Sequence, residues 1–327
     1  ASFDMGAQTE FETVVSVSVQ GESLATQSFS RHARSAHVTS SQVRDDGLYG
    51  VIFEPENRQQ PRPGIIVLGG SEGGIASTMM QAQLLASRGY VTLALGYFSF
   101  ESEGGLPDTL QDLPLEYFNT AIEWLKRRPS VDADRIVLLG GSKGAEAALL
   151  TAAYFDTVAG VIAIAPSAVS WAAPFAYDDQ ASWSLHGQPL PFIPYYPDPT
   201  YNPPGGFPNE LYRHYGYSLE TFANEDTFIP IERSSASFLL ISGEDDRMWT
   251  SADMAQRLVE RAQDRAPHLR VISHTYPDAG HSFNAAQLPT TWTPADWRRW
   301  PNGGSPAGNA AAQAAAWQEI LSFLDSL

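Results

Sequence analysis

At 327 residues, with 43% hydrophobic and 11% aromatic side chains, the chain can bury a sizeable core, which excludes disorder as its main state. Its 37 acidic against 20 basic residues leave a formal charge of −17, which argues against nucleic acid or an anionic membrane surface as partner. Cysteine is absent, so disulfides, Cys-ligated zinc, iron–sulfur clusters and a cysteine nucleophile are excluded.

Residues 1–45 read as a β-rich, polar extension, with residues 13–19 (TVVSVSV) alternating as a strand. Residues 47–54 (GLYGVIFE) form another strand, and 57–63 (NRQQPRP) a surface turn. From there strands and helices alternate. The strands are 64–68 (GIIVL), 91–95 (VTLAL), 135–139 (RIVLL) and 160–165 (GVIAIA), and the helices 75–87, 113–128 and 143–154. Residues 166–232 break the alternation with eleven prolines and aromatics at about twice the chain's 11%. Such a segment reads as a lid or excursion. Alternation resumes with a strand at 237–242 (SFLLIS), a helix at 251–264, a strand at 270–276 and a last helix at 309–324. Short strands apolar on both faces, alternating with helices, imply an α/β fold: a mostly parallel sheet covered on both faces. The catalytic domain then spans 46–327. No run approaches the roughly 18 to 20 apolar residues of a membrane helix.

Two segments fit G-x-S-x-G, each after a strand and before a helix: residues 140–144 (GGSKG) and 69–73 (GGSEG). In that setting the serine sits on a sharp turn that the glycines permit, at a helix N-terminus suited to a developing oxyanion. The elbow of an α/β-hydrolase sheet follows the fifth strand. Upstream of Ser142 there is room for four strands and two helices, whereas the 70 residues before Ser71 hold no convincing helix. Ser142 is therefore assigned as nucleophile. The loop at 69–74 takes the place of the glycine-rich loop after the third strand. There the backbone near Ser71 would donate one N–H to an oxyanion.

A serine needs a base, and the base an orienting carboxylate, in the chain order Ser, Asp/Glu, His. After the strand at 237–242 comes GEDD (243–246), and after the strand at 270–276 comes PDAGHSF (277–283). Both turns fall at the sheet edge where open parallel sheets bind ligands. His281 is the base; the other six histidines lack that placement. Asp246, three residues past the turn glycine, is the acid. Asp245 points elsewhere in a regular turn, and Asp278 caps its own turn. Glu72, Trp171, Trp183, Tyr195 and Trp249 are candidate substrate contacts, the aromatics equally able to pack the excursion. The Lys143 side chain is read as solvated or paired with Glu146.

These motifs resemble the acyl-CoA thioesterase and bile acid-CoA:amino acid N-acyltransferase family in its C-terminal catalytic domain, with dienelactone hydrolase-like enzymes more distant. The resemblance runs from about Asp46 onward. It rests on LGGSEGG (68–74), LASRGYVTLAL (85–95), GGSKGAE (140–146), GEDDRMW (243–249) and AGHSF (279–283). It implies an α/β-hydrolase fold with Ser142, Asp246 and His281 as triad, and the backbone N–H groups of Lys143 and of the loop near Ser71 as the oxyanion hole. Eukaryotic members carry an immunoglobulin-like domain ahead of the catalytic one. The 45 residues before Asp46 are too few for such a sandwich of ~100 residues, so that domain's role is not carried over. The amino-acid-conjugating members use cysteine as nucleophile; Ser142 here favours hydrolysis over conjugation.

The expected activity is a serine hydrolase of acyl esters or thioesters, with no cofactor and no metal. An acyltransferase using the same residues, and a non-catalytic binding module, are the alternatives. The partner is a small-molecule substrate. Cysteine avoidance and a start at Ala1 without a leader favour a periplasmic or secreted location over a cytoplasmic one. The oligomeric state is not legible.

Overall fold

The computed structural model describes residues 10–32, 34–56, 60–99, 105–174, 180–202, 210–282 and 302–327. The first two strands, β1 (Glu10–Val19) and β2 (Glu22–His32), form a separate antiparallel ribbon. Their turn carries Gln20 at φ 54° and Gly21 at φ 88°, the pair of positive angles that matches a two-residue loop to strand twist. Val14, Val15, Val17, Val19 and Leu24 are exposed on the ribbon.

The remaining elements, in chain order, are β3 (Val38–Val43), β4 (Tyr49–Pro55), β5 (Arg62–Leu68), α1 (Ala76–Ala86), β6 (Val91–Gly96), β7 (Leu113–Pro114), α2 (Leu115–Lys126), β8 (Val131–Gly141), α3 (Lys143–Phe155) and β9 (Gly160–Ile164). There follow β10 (Trp183–Leu185), β11 (Gln188–Pro189), α4 (Leu211–Phe222), β12 (Ser237–Gly243), α5 (Ser251–Arg265), β13 (Val271–Tyr276) and α6 (Pro306–Asp325). Eight strands build the main sheet in the order β13-β12-β9-β8-β5-β6-β4-β3. From β6 to β13 all neighbours are parallel; β4 and β3 are antiparallel additions. The sheet thus begins at Val38, upstream of the Asp46 from which the sequence counts the catalytic domain. Counted within it, β5 is the third strand, β8 the fifth, β12 the seventh and β13 the eighth.

Residues 64–68, 136–139, 160–164 and 238–241 of the parallel strands are apolar throughout because successive side chains point to two covered faces. Ile66, Leu68, Leu138, Val161 and Leu240 join one buried cluster with residues of α2, α3 and α5. Ile65, Val67, Val137, Ile162 and Leu239 join the other with residues of α1 and α6. Each such aliphatic side chain, fully buried, contributes about 1.5 to 3 kcal/mol. β3 (VTSSQV) buries only its two valines, as an edge strand with one partner can.

The helix expected from Leu113 begins two residues later. Pro114 disfavours helical backbone at Leu113, which instead pairs with Trp183 in the small β11-β10-β7 sheet. The excursion carries its own structure. It holds β10, β11 and α4, and its Val169, Trp171, Trp183, Ile193, Leu219 and Ile229 lie in the same buried cluster as α2 and α3. It is packed onto the body. Among the described residues no helix is long and apolar enough to cross a membrane.

Candidate active site

β8 ends at Gly141 and α3 begins at Lys143, leaving Ser142 alone to turn the chain. Its φ of 55° and ψ of −121° are sparsely populated for a residue with a Cβ, a strain typical of functional turns. The Ser142 N–H donates to Ile164 O at 2.9 Å, which anchors the turn to the next strand. Gly144 allows the turn to sit close to the third strand: a Cβ there would come within 2.3 Å of Gly69 O and 2.5 Å of Leu68 O. The loop after β5 therefore lies against the elbow. A Cβ built on Gly70 would stand 3.3 Å from Ser142 Cβ. Both G-x-S-x-G segments meet at one place, in the fifth-strand and third-strand positions that the element count assigns to them.

Asp246 and His281 follow β12 and β13. Ser142 Oγ lies 2.9 Å from His281 Nε2, and His281 Nδ1 lies 2.8 Å from Asp246 Oδ2. An ionised carboxylate only accepts, so Nδ1 carries the proton and Nε2 is free to receive the one on Ser142. Asp246 is buried and fully engaged. Its Oδ1 accepts the Met248 and Trp249 N–H groups at 2.9 and 3.2 Å, and Oδ2 also accepts the Ser251 hydroxyl at 2.6 Å. Asp245 turns away, as expected, accepting Arg247 Nε and the Gly304 N–H. Asp278 holds the turn before His281 at φ 55° and accepts the Ser305 hydroxyl. His281 itself is fixed through its N–H, which donates to Asn302 O at 2.6 Å. Phe283, which closes the AGHSF motif, lies outside the described residues.

The Lys143 N–H is the first of α3, one of those a helix leaves without an internal partner. Ser71 is half-buried in the loop beside it. Tyr97 supports that loop, its hydroxyl donating to Gly69 O at 2.5 Å; burial, with Glu72 and Glu146 nearby, pushes the phenol well above its ordinary range. Glu72 turns onto its own loop, accepting the Gly70 N–H at 3.1 Å and the Ser77 hydroxyl at 2.5 Å.

Of the aromatic candidates, Trp249 stands edge-on to His281 with ring centroids 5.6 Å apart. Behind it come Tyr215 at 5.7 Å and Trp171 at 5.0 Å from Tyr215, with Tyr195 stacked on Trp171. Trp171 and Trp183 are fully buried and spend their surface on neighbours. Burial pushes the Tyr215 phenol up to about 12.

Lys143 is not solvated. Its ammonium donates to Glu146 Oε2 at 2.7 Å, both side chains being buried. Burial lowers the Lys143 ammonium and raises the Glu146 carboxyl, each opposed by the other's charge. Lys143→Met would remove that opposition. The unfolded chain ionises Glu146 near its ordinary value of about 4.5, while the folded variant keeps the proton to higher pH. Stability of the variant should then fall as pH rises above about 4.5, reaching a cost of about 3 to 5 kcal/mol once the carboxylate is forced to ionise unpaired. Thermal midpoints of variant and parent measured between pH 5 and 8 should diverge; parallel curves would refute this.

Sequence reasoning missed Ser251, Asn302 and Asn309. Ser251 opens α5 five residues after the acid, a signal that was present. Asn302 and Asn309, whose side chain accepts the Gly280 N–H at 2.8 Å, reach the site only through the chain's path. Among the described residues no group of three or more His, Asp or Glu side chains could hold a metal.

In solved structures the chain resembles a dienelactone hydrolase-like promiscuous phosphotriesterase from metagenomic libraries, with a TM-score of 0.58 and 15% identity over 89% of this chain and 99% of that one. It also resembles a thermophilic esterase from Thermogutta terrifontis, with a TM-score of 0.53 and 14% identity over 88% and 92%. At such identities the likeness establishes the α/β-hydrolase fold. Among curated proteins it is 32% identical over 308 residues to acyl-coenzyme A thioesterase 6 of Mus musculus, covering 93% of this chain and 68% of that protein. It is 30% identical to acyl-coenzyme A amino acid N-acyltransferase 1 of Mus musculus, covering 88% and 64%. The chain thus spans about two thirds of the length of these relatives. Residues 113–327, which hold Ser142, Asp246 and His281, match the family model described as BAAT / acyl-CoA thioester hydrolase C terminal. The chain belongs to that family.

Proposed function

We propose that the chain hydrolyses acyl esters or thioesters through an acyl-enzyme on Ser142. The observation that carries this reading is the unbroken Ser142–His281–Asp246 chain of 2.9 and 2.8 Å at the ends of three parallel strands. Ser142 Oγ bonds to the substrate carbonyl carbon as its proton passes to His281 Nε2. The Lys143 and Ser71 N–H groups receive the oxyanion. On collapse, the C–O or C–S bond breaks and His281 returns the proton to the departing alcohol or thiol. Water then repeats the sequence, with His281 as base, and a carboxylic acid leaves.

A second reading, transfer of the acyl group to an amine or alcohol, uses the same residues and is kept because one of the relatives is named an N-acyltransferase. Acceptor-dependent product formation separates the two.

For the substrate, we favour uncharged esters or small thioesters with an apolar or aromatic part over long-chain acyl-CoA. Coenzyme A carries several phosphate charges. The two arginines of the excursion and acid loop are already committed, Arg213 to Asp198 and Glu210 and Arg247 to Asp245 and Glu210. A panel of p-nitrophenyl esters and acyl-CoAs of graded length, with Ser142→Ala as control, should give higher kcat/KM for a short or aryl ester than for palmitoyl-CoA. A palmitoyl-CoA preference that weakens with added salt would overturn this order.

A further inference from the structure

Among the described residues, Lys143–Glu146 is the one Lys/Arg–carboxylate pair with both partners buried, at 3% and 0% exposure. Such a pair gains little stability over an apolar replacement, because desolvation consumes most of the Coulomb attraction. A role in fixing one arrangement accounts for it better. Glu146 occupies the first turn of α3, directly behind the elbow. Its Oε2 accepts from Lys143 Nζ at 2.7 Å. Its Oε1 accepts from the Trp171 backbone N–H at 2.9 Å and from Trp183 Nε1 at 2.7 Å. The Lys143 ammonium reaches on toward Trp171 O at 3.5 Å and lies 5.4 Å from the Trp183 ring centroid. One carboxylate therefore ties the elbow helix to two separate points of the excursion.

Trp171 is also the inner end of the aromatic series that leads through Tyr215 and Trp249 to His281, in steps of 5.0, 5.7 and 5.6 Å. Glu146 is joined on one side to Lys143, whose N–H would hold the oxyanion, and on the other to Trp171, from which Tyr215 and Trp249 lead to the base. We propose that Glu146 is a positioning residue that sets the distance between the elbow and His281, by anchoring Trp171 and Trp183 to α3. This rests on the acyl-enzyme reading above.

The test is pre-steady-state acylation by a p-nitrophenyl ester. Burst amplitude counts competent sites; burst rate reports chemistry per site. Glu146→Gln preserves shape but cannot hold the Lys143 ammonium and both N–H groups together. Trp183→Phe keeps a ring and the ion pair while cutting one tether. Per-site acylation should fall about tenfold or more in Glu146→Gln and about threefold in Trp183→Phe, with KM changed less than about twofold. A merely structural role would lower amplitude and leave the per-site rate untouched. Should Glu146→Gln fail to fold, Trp183→Phe decides alone. Per-site rates within about twofold of the parent in every folded variant overturn the proposal. A parent that gives no burst overturns the acyl-enzyme reading itself, and this proposal with it.

Discussion

Replacing Ser142 by alanine is expected to abolish labelling by a fluorophosphonate probe and to lower kcat by roughly five to six orders of magnitude. The hydroxyl 2.9 Å from His281 Nε2 is the one group in this arrangement whose proton the imidazole can take. What would remain is the modest catalysis supplied by binding and by the Lys143 and Ser71 N–H groups. Ser71→Ala should leave labelling intact, since the Ser71 side chain is not required of a backbone donor. Labelling that survives Ser142→Ala but disappears in Ser71→Ala would reverse the assignment.

Asp246→Asn should lower kcat by about four orders of magnitude while leaving the fold in place. The surroundings dictate how the amide must sit. Oδ1 receives two backbone N–H groups, from Met248 and Trp249, so the amide oxygen belongs there and the NH₂ takes the place of Oδ2. Ser251 can rotate its hydroxyl to accept. His281 Nδ1 must then accept as well, which moves its proton to Nε2, where it faces Ser142 and can no longer receive a proton. Activity within about tenfold of the parent, in a variant with unchanged circular dichroism, would show that Asp246 does not hold the tautomer.

The centre of the fold was legible because its physics is local. Runs such as GIIVL (64–68) and FLLI (238–241) are apolar at every position, which only a strand buried on both faces requires. The choice between two serine motifs of the same pattern also came from order along the chain, through the number of elements that must precede an elbow. The edges were harder. VTSSQV exposes its four central residues and draws its strand character from β4 alone. LYRHYGYSLETF does carry helical spacing, at Leu211, Tyr215, Leu219 and Phe222, but Gly216 and the surrounding prolines conceal it. The pairing of Lys143 with Glu146 lies within one helical turn and could be anticipated. The donors to the other oxygen of Glu146 come from 25 and 37 residues away, and no local rule reaches them.

The strand order carries a consequence for how the enzyme fails. β8 and β13 are three strand spacings apart, about 14 Å, so His281 must be brought back across β9 and β12 to meet Ser142. Ser142 and the loop at 69–74 are set in the middle of the sheet, among its most protected strands. The imidazole hangs from the outermost strand, half-exposed along its length, and from contacts with residues 302–309 at the start of α6. Opening of that margin alone would separate His281 from Ser142 while the interior stayed folded. Heat or denaturant would thus silence the protein before dismantling it, and cooling could restore activity without any need to refold the core.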